Sequence, residues 1–303
     1  MLVDILQLTL YGIVLGSIIA LGAIGVSLTF GILGFANFSH GDLMTSGAYI
    51  AFTVYTLLAL PLWLAFPAGM LGAMAVALAI DWAFYSRLRR SKGLILLISS
   101  FGAALIIRSL VQIVWGPDNQ VYEPGIQMAV RFGEDIVGSP GLRIKPDQVR
   151  ILIGAAVLVS AVHVFLRYTR MGKAMRAMAD NPDLARLTGI DTKRVIVWTW
   201  VIGAGLAGAA GVFLGLDTRL HPDMGWFILL PIFAATILGG IGRPYGAIAG
   251  GLVIGIAQEL STLQIPPDYE PLVNPAYKPA VAFAIMVLML ILRPTGLFSG
   301  RST

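Results

Sequence analysis

Apolar runs of similar length recur along the chain at about 5–30, 43–60, 62–85, 94–115, 149–167, 194–216, 226–262 and 277–293. An α-helix needs roughly 20 apolar residues to cross a hydrocarbon layer about 30 Å thick, so most of these runs are one crossing long. The run 226–262 is too long for one. Leu238-Gly239-Gly240-Ile241-Gly242-Arg243-Pro244-Tyr245-Gly246 interrupts it, and glycine and proline at that density make a tight reversal, so it reads as two helices. The pattern predicts an all-α, polytopic transmembrane bundle of eight or nine membrane segments with glycine-broken helices. The whole chain, 1–303, reads as one transmembrane domain.

The polar stretches between the runs set the orientation. Ser86–Lys92 holds Arg87, Arg89, Arg90 and Lys92 and no acid, and 167–194 holds seven cations. Cationic loops stay in the cytoplasm, so both belong there, with Arg293 and Arg301. The 116–148 connection then falls outside. It is acidic and turn-rich (Asp118, Glu123, Glu134, Asp135, Asp147; Pro117, Pro124, Pro140, Pro146) and long enough for a small hairpin. The 263–276 loop, with Asp268 and Glu270, also falls outside. The same parity puts the N-terminus outside if Gly31–Gly41 is a cytoplasmic turn; the alternative is a segment that dips back into the membrane.

Composition agrees. Hydrophobic residues make up 57% and charged residues 12%, with a mean hydropathy of +0.83; a soluble domain carries about 25% charged residues. Cysteine is absent, which excludes disulfides and thiolate chemistry. His40, His163 and His221 lie far apart with no metal-ligand spacing, and an integral-membrane enzyme would need catalytic residues clustered at one interface. Neither catalytic, metal nor cofactor sites are expected. The net charge of +5 reflects cytoplasmic loops rather than a nucleic-acid partner. Met1-Leu2-Val3-Asp4 lacks a basic n-region, so the first run is expected to be a retained span.

Three places combine irregular sequence with polar chemistry. In Gly34–Asp42, the residues Asn37, Ser39, His40 and Asp42 crowd between two apolar helices. If this segment lies in the membrane it lines a pathway or gate, because irregular backbone at that depth must be buried in protein or face water. If it is a cytoplasmic turn, Ser39 or Asp42 caps the next helix. In the second place, Gly239, Gly240 and Gly242 form either a turn at the inner mouth or part of the pathway. They lack the Lys-Ser/Thr of a nucleotide-binding loop. The third is 170–191, which reads as two short helices broken at Asn181-Pro182 and ended by Gly189. This compact amphipathic elbow either lies on the membrane surface or docks into a soluble partner. Within the spans, Asp81, Arg108, His163 and Glu259 stand out as polar groups whose pairing the sequence leaves open.

At these residues the chain resembles the permease subunits of branched-chain amino acid ABC importers, of the Liv H type. The likeness rests on Leu15-Gly16-Ser17, Ala20-Leu21, Gly34 to Asp42, Arg170-Met171-Gly172, Arg176-Ala177, Leu187-Thr188-Gly189-Ile190, Gly239-Gly240-Ile241-Gly242 and Pro294-Thr295-Gly296-Leu297, in order from end to end. The resemblance implies an inner-membrane subunit forming half of a translocation pathway. Its implied partners are a second related permease, two cytoplasmic ATPase subunits that bind the ATP, and a periplasmic binding protein that delivers leucine, isoleucine or valine. It also implies that 170–191 is the coupling segment, with Gly172, Arg176, Ala177, Asp180, Ala185 and Gly189 as contact candidates; Asn37, Ser39, His40, Asp42, Gly239, Gly240 and Gly242 stand as pathway or gate candidates on the reading of the residues themselves. Two departures stand in the motifs. Arg176-Ala177-Met178-Ala179 replaces the Glu-Ala-Ala loop of many ABC importers, and Ser39 and Asp42 vary the family's usual Asn-Phe-Ala-His-Gly-Glu. Permeases for urea, short amides or other amino acids share these motifs, and an ion-coupled secondary transporter or a passive channel are the other classes to be separated.

Overall fold

The computed structural model describes residues 1–89, 91–122, 128–132, 141–264, 271–293 and 295–298. Arg90, Glu123, Pro124, Glu134, Asp135, Pro140, Asp268, Glu270, Pro294 and Arg301, used above for orientation or resemblance, lie outside the described residues.

The long helices are α1 (Leu2–Leu33), α2 (His40–Leu57), α3 (Leu62–Ile80), α4 (Gly93–Trp115), α5 (Pro146–Tyr168), α8 (Thr192–Asp217), α9 (Met224–Gly239), α10 (Pro244–Leu260) and α11 (Lys278–Leu292). Two short helices, α6 (Arg170–Asp180) and α7 (Pro182–Leu187), form the elbow. Helix α3 continues through a π turn, Asp81–Tyr85, into a last α turn, Ser86–Leu88. In the outer connection, β1 (Val130–Phe132) and β2 (Leu142–Ile144) pair as an antiparallel hairpin.

Among the described residues, six helices are long and apolar enough to cross a membrane: α1, α3 with its extension to Leu88, α4, α5, α8 and the segment Pro275–Leu292. The other three long helices, α2, α9 and α10, are shorter or more polar. The expected eight or nine segments are therefore present, six of them long and apolar enough to cross by that measure and three shorter or more polar.

Layering follows from burial. The apolar stretches of α1 and α8 are 78% buried, against 17% for α5 and 11% for Pro275–Leu292. Thus α1 and α8 form the centre, and α3, α4, α5 and α11 turn apolar side chains outward (Ile113, Ile153 and Ile291 among them). Hydrophobic burial gives little drive between helices in lipid, so close packing must hold the centre together. Small residues four apart supply it. A Cβ on Gly12 would lie 2.6 Å from Ile256 Cα, and one on Gly16 would lie 2.9 Å from Leu252 Cα. From the other side, a Cβ on Gly251 would meet Ala20 Cα at 2.6 Å. Helices α1 and α10 therefore touch backbone to backbone.

The ends sort by side. Gln7 pairs in both directions with the backbone of Arg143 in β2, at 2.8 Å each. The N-terminus thus lies at the same end of the bundle as the 116–148 connection, which the loop charges place outside. The inner end of α1 packs on the 240–243 turn, where a Cβ on Gly31 would lie 2.8 Å from Gly242 Cα.

Helix α2 begins at depth. Its first residue, His40, sits against Gly25 of α1, which in turn lies on Gly203 of α8; these glycines are about 12 Å and 17 Å from the inner ends of their helices at 1.5 Å per residue. Helix α9 begins at the same level, because its Gly225 lies on the carbonyl of Gly41. Two partial helices therefore meet N-terminus to N-terminus inside the bundle, with glycine on both sides of the contact. A Gly225→Ala change is expected to lower stability by about 1–3 kcal/mol through overpacking. Gly102→Ala, where an added Cβ meets nothing within 4 Å, is expected to be neutral or mildly stabilising. Thermal melting of the detergent-purified protein compares the two, and equal melting would contradict the close approach.

Candidate functional site

Gly34 ends α1 in the left-handed conformation (φ 75°), its N–H bonded to Phe30 O. From there 34–39 climbs back alongside α1 instead of forming a surface turn, and Asn37, Ser39, His40 and Asp42 are all buried. Of the two readings the sequence left open, the dip into the membrane is the one observed. Ser39 stands at the N-cap of α2, yet its side chain makes no cap hydrogen bond.

What holds this segment is a polar network. Ser39 Oγ donates to Asn37 Oδ1 at 2.7 Å, and Tyr85 OH donates to the same oxygen at 3.2 Å. The backbone N–H of Phe38 donates to Ser100 Oγ on α4 at 3.1 Å. Tyr85 reaches inward from the π turn and stacks on Trp200 of α8, with ring centroids 5.3 Å apart and planes 5° from parallel. Phe38 packs on Phe233 of α9 at 5.3 Å. Around the break, Asn37 Nδ2, His40 Nε2 and Trp200 Nε1 are buried without a hydrogen-bond partner among the described residues.

One turn higher, Asp42 is fully buried and takes Arg108 of α4 through Nε at 3.0 Å and Nη2 at 3.2 Å. The same guanidinium lies 3.5 Å from Asp223, at the N-cap of α9, and 5.0 Å from the centre of the Trp226 ring. Arg108 thus ties together the starts of both partial helices. From sequence the intramembrane charges read as scattered; the fold brings Asp42, Arg108 and Asp223 to one point. Asp223, Trp226, Tyr85 and Gly225 were missed as site residues. Only the pairing of a lone arginine with a lone aspartate in two apolar runs hinted at the contact.

The other intramembrane polar groups pair locally. Asp81 takes Arg89 at 2.5 and 2.8 Å, Glu259 takes Lys278 at 2.7 Å, and His163 Nδ1 meets Tyr245 OH at 3.0 Å.

Gly239, Gly240 and Gly242 lie apart from this network, in the inner turn between α9 and α10. Gly239 lies directly on Gly246, Gly240 and Gly242 have φ of 97° and 79°, and Leu297 N–H closes onto Leu238 O at 2.8 Å.

In the elbow, Asn181 Oδ1 caps α7 by accepting from Asp183 and Leu184 N–H, and Gly189 (φ 84°) ends it. The break and the stop fall where the sequence places them. The six elbow candidates divide by face. Gly172 and Ala185 are buried, Gly172 against the end of α5, whereas Arg176, Asp180 and Gly189 are exposed and Ala177 lies between. Leu187, 84% exposed, and Leu184 also face outward. A cavity of about 250 Å³ connects elbow and break; Met178 and Arg186 line it below, and Phe35, Tyr85, Arg89 and Trp200 line it above.

Comparison with known proteins places these features in a family. A family model described as the permease component of branched-chain amino acid transport systems matches residues 8–290. The chain is 37% identical to the high-affinity branched-chain amino acid transport system permease protein LivH of Escherichia coli K12, over 96% of this chain and 94% of that one. It is 27% identical to the permease protein LivM of the same organism and system, over 97% of this chain and 69% of that one. A solved structure, PsaBC from Streptococcus pneumoniae in complex with Fab, shares the fold with a TM-score of 0.54 at 13% identity, over 96% of this chain and 92% of that one.

Removing Arg108 would leave Asp42 charged and unpaired inside the bundle. Arg108→Gln is expected to cost about 3–5 kcal/mol, and Asp42→Asn in the same chain is expected to restore much of it. Melting of the single and double variants checks this; equal losses in both would show that the pair is not coupled.

Proposed function

The chain belongs to the family of branched-chain amino acid transport permeases, and on that premise we propose that it forms half of the membrane pathway of an ABC importer for leucine, isoleucine and valine. A second, related permease completes the pathway; the likeness of this one chain to both LivH and LivM supports a pair of related subunits. Two ATPase subunits dock on the elbow, a binding protein delivers the amino acid from outside, and the assembly sits in the bacterial inner membrane. ATP is bound by the partner subunits, not by this chain.

The observation that carries the reading is the buried break at Asn37–Asp42, which Tyr85 links to a cavity reaching the elbow. A gate must have two arrangements of similar energy. A segment holding buried polar atoms without partners in one arrangement is suited to finding them in another. The elbow offers the lever. Its buried face (Met175, Met178, Ala185) grips the bundle, while Leu184, Leu187 and Gly189 remain exposed to a partner. Movement of α6 and α7 would shift the floor of the cavity under Tyr85, and Tyr85 holds Asn37.

Asp42 and Asp223 beside Arg108 also favour a second reading, an ion-coupled carrier, since paired carboxylates at membrane depth bind coupling ions in such proteins. Purification from the native membrane separates the two. Recovery of a nucleotide-binding ATPase and a second permease supports the importer. Recovery of the chain alone, transporting in vesicles without ATP, supports the carrier.

Gly189→Leu places a side chain at positive φ on the docking face. It is expected to reduce ATP-driven uptake at least tenfold with membrane insertion intact, as read by uptake and by the amount of inserted protein. Normal coupled uptake in this variant would remove the elbow as the docking site.

A further inference from the structure

A crevice of about 380 Å³ opens at the outer end of the bundle, between α1, the outer end of α8, the 218–223 loop, α9 and the start of α11. It exists because α9 starts at depth and leaves the space above it to a loop. That loop is fixed by backbone pairing of Leu220 with Gln120, at 2.8 and 2.9 Å. One wall is apolar: Leu15, Leu214, Phe227 and Ile228. The rim is polar: Arg219, His221, Gln258 and Lys278.

The rim charges are not equivalent. Lys278 is committed to Glu259, whereas Arg219 is exposed and makes no ion pair among the described residues. Burial lowers the pKa of His221 from its ordinary value of 6.5; Asp223 opposes the shift and Arg219 adds to it. The ring is therefore uncharged at neutral pH, and it packs on Phe227 with centroids 5.8 Å apart. Asp223, two residues beyond His221, is committed to Arg108 and does not line the crevice. The mouth thus combines an exposed guanidinium with an aliphatic and aromatic wall, which together complement the carboxylate and side chain of an apolar amino acid.

We propose that this crevice is an outer subsite for the transported amino acid, in which Arg219 holds the α-carboxylate and the wall around Phe227 takes the branched side chain. The subsite rests on the transport reading above. A guanidinium paired with a carboxylate at a partly desolvated mouth is a strong, directional contact, and losing it is expected to weaken capture about tenfold.

The test uses the complete importer in vesicles, with ATP, its binding protein and radiolabelled L-leucine. Arg219→Gln is expected to reduce initial uptake about tenfold and Arg219→Lys to keep most of it, with both variants copurifying with their partners. In a second arm, saturation-transfer NMR on the permease pair in nanodiscs, without binding protein, is expected to detect the methyl groups of L-leucine but not those of L-leucinamide, which lacks the carboxylate. Equal signals from the two, or wild-type uptake by Arg219→Gln, overturns the subsite and leaves the transport reading standing. If Arg219→Gln does not assemble, the leucinamide comparison on the unaltered protein decides alone. Wild-type vesicles that take up none of leucine, isoleucine and valine overturn the transport reading and the subsite with it.

Discussion

The Asp42–Arg108 ion pair is the contact on which the interior depends. A carboxylate with no exposed surface, on a helix that starts inside the membrane, is tolerable only with a cation aimed at it. Arg108 has a cost of its own on a mostly lipid-facing helix. It is met by two carboxylates and an indole face, all supplied by the starts of α2 and α9. The first turn of any helix leaves four N–H groups without intrahelical partners and carries partial positive charge. Two such ends facing each other repel unless negative charge lies near them, and Asp42 and Asp223 provide it. Without this cluster, neither partial helix has reason to begin at depth. A full-length α2 or α9 would in turn close the break below and the crevice above.

Stiffness is unevenly distributed around that cluster. Along the α1–α10 seam, backbones touch over several turns at Gly12, Gly16 and Gly251, and a small sliding motion would bring atoms into collision. Interfaces of this kind move as rigid bodies. At the break, by contrast, one side-chain oxygen, Asn37 Oδ1, receives both Ser39 and Tyr85, and nearby polar atoms go without partners. The weakly determined part of the bundle thus lies between a rigid seam and a cavity that opens toward the elbow. A lever acting on the elbow would move the break before it moved the seam.

Much of this was legible in sequence for a simple reason: burial in lipid forces long apolar runs, and cationic loops fix their direction. The turn at Gly239–Gly246, the break at Asn181-Pro182 and the stop at Gly189 were visible because glycine and proline act locally. Crowding of Asn37, Ser39, His40 and Asp42 marked the break as a candidate site, but whether it was a turn or a dip depended on where Gly25 and Gly203 lie, far away in sequence. The Asp42–Arg108–Asp223 cluster was hidden for the same reason. Its members sit 66 and 115 residues from the central arginine, and no local pattern joins them. The start of α9 was legible to within two residues, at 226 against 224, but its depth was not, because that depends on the contact of Gly225 with Gly41.

The two partial helices explain why one chain presents openings on both sides without a continuous pore. Helix α2 runs outward from the junction and α9 runs inward, so each leaves part of its column to a connecting segment: 34–39 below α2 and 218–223 above α9. The lower segment is polar and loosely satisfied; the upper one carries Arg219 and His221 beside an apolar wall. Between them Gly41 lies on Gly225, a contact too close for any side chain to enter. On the transport reading proposed above, a passage would run beside this junction rather than through it, along the exposed face of α9 that carries Phe227 and Leu230. That face is unlined on one side within a single chain. A second permease is what would turn it into a channel.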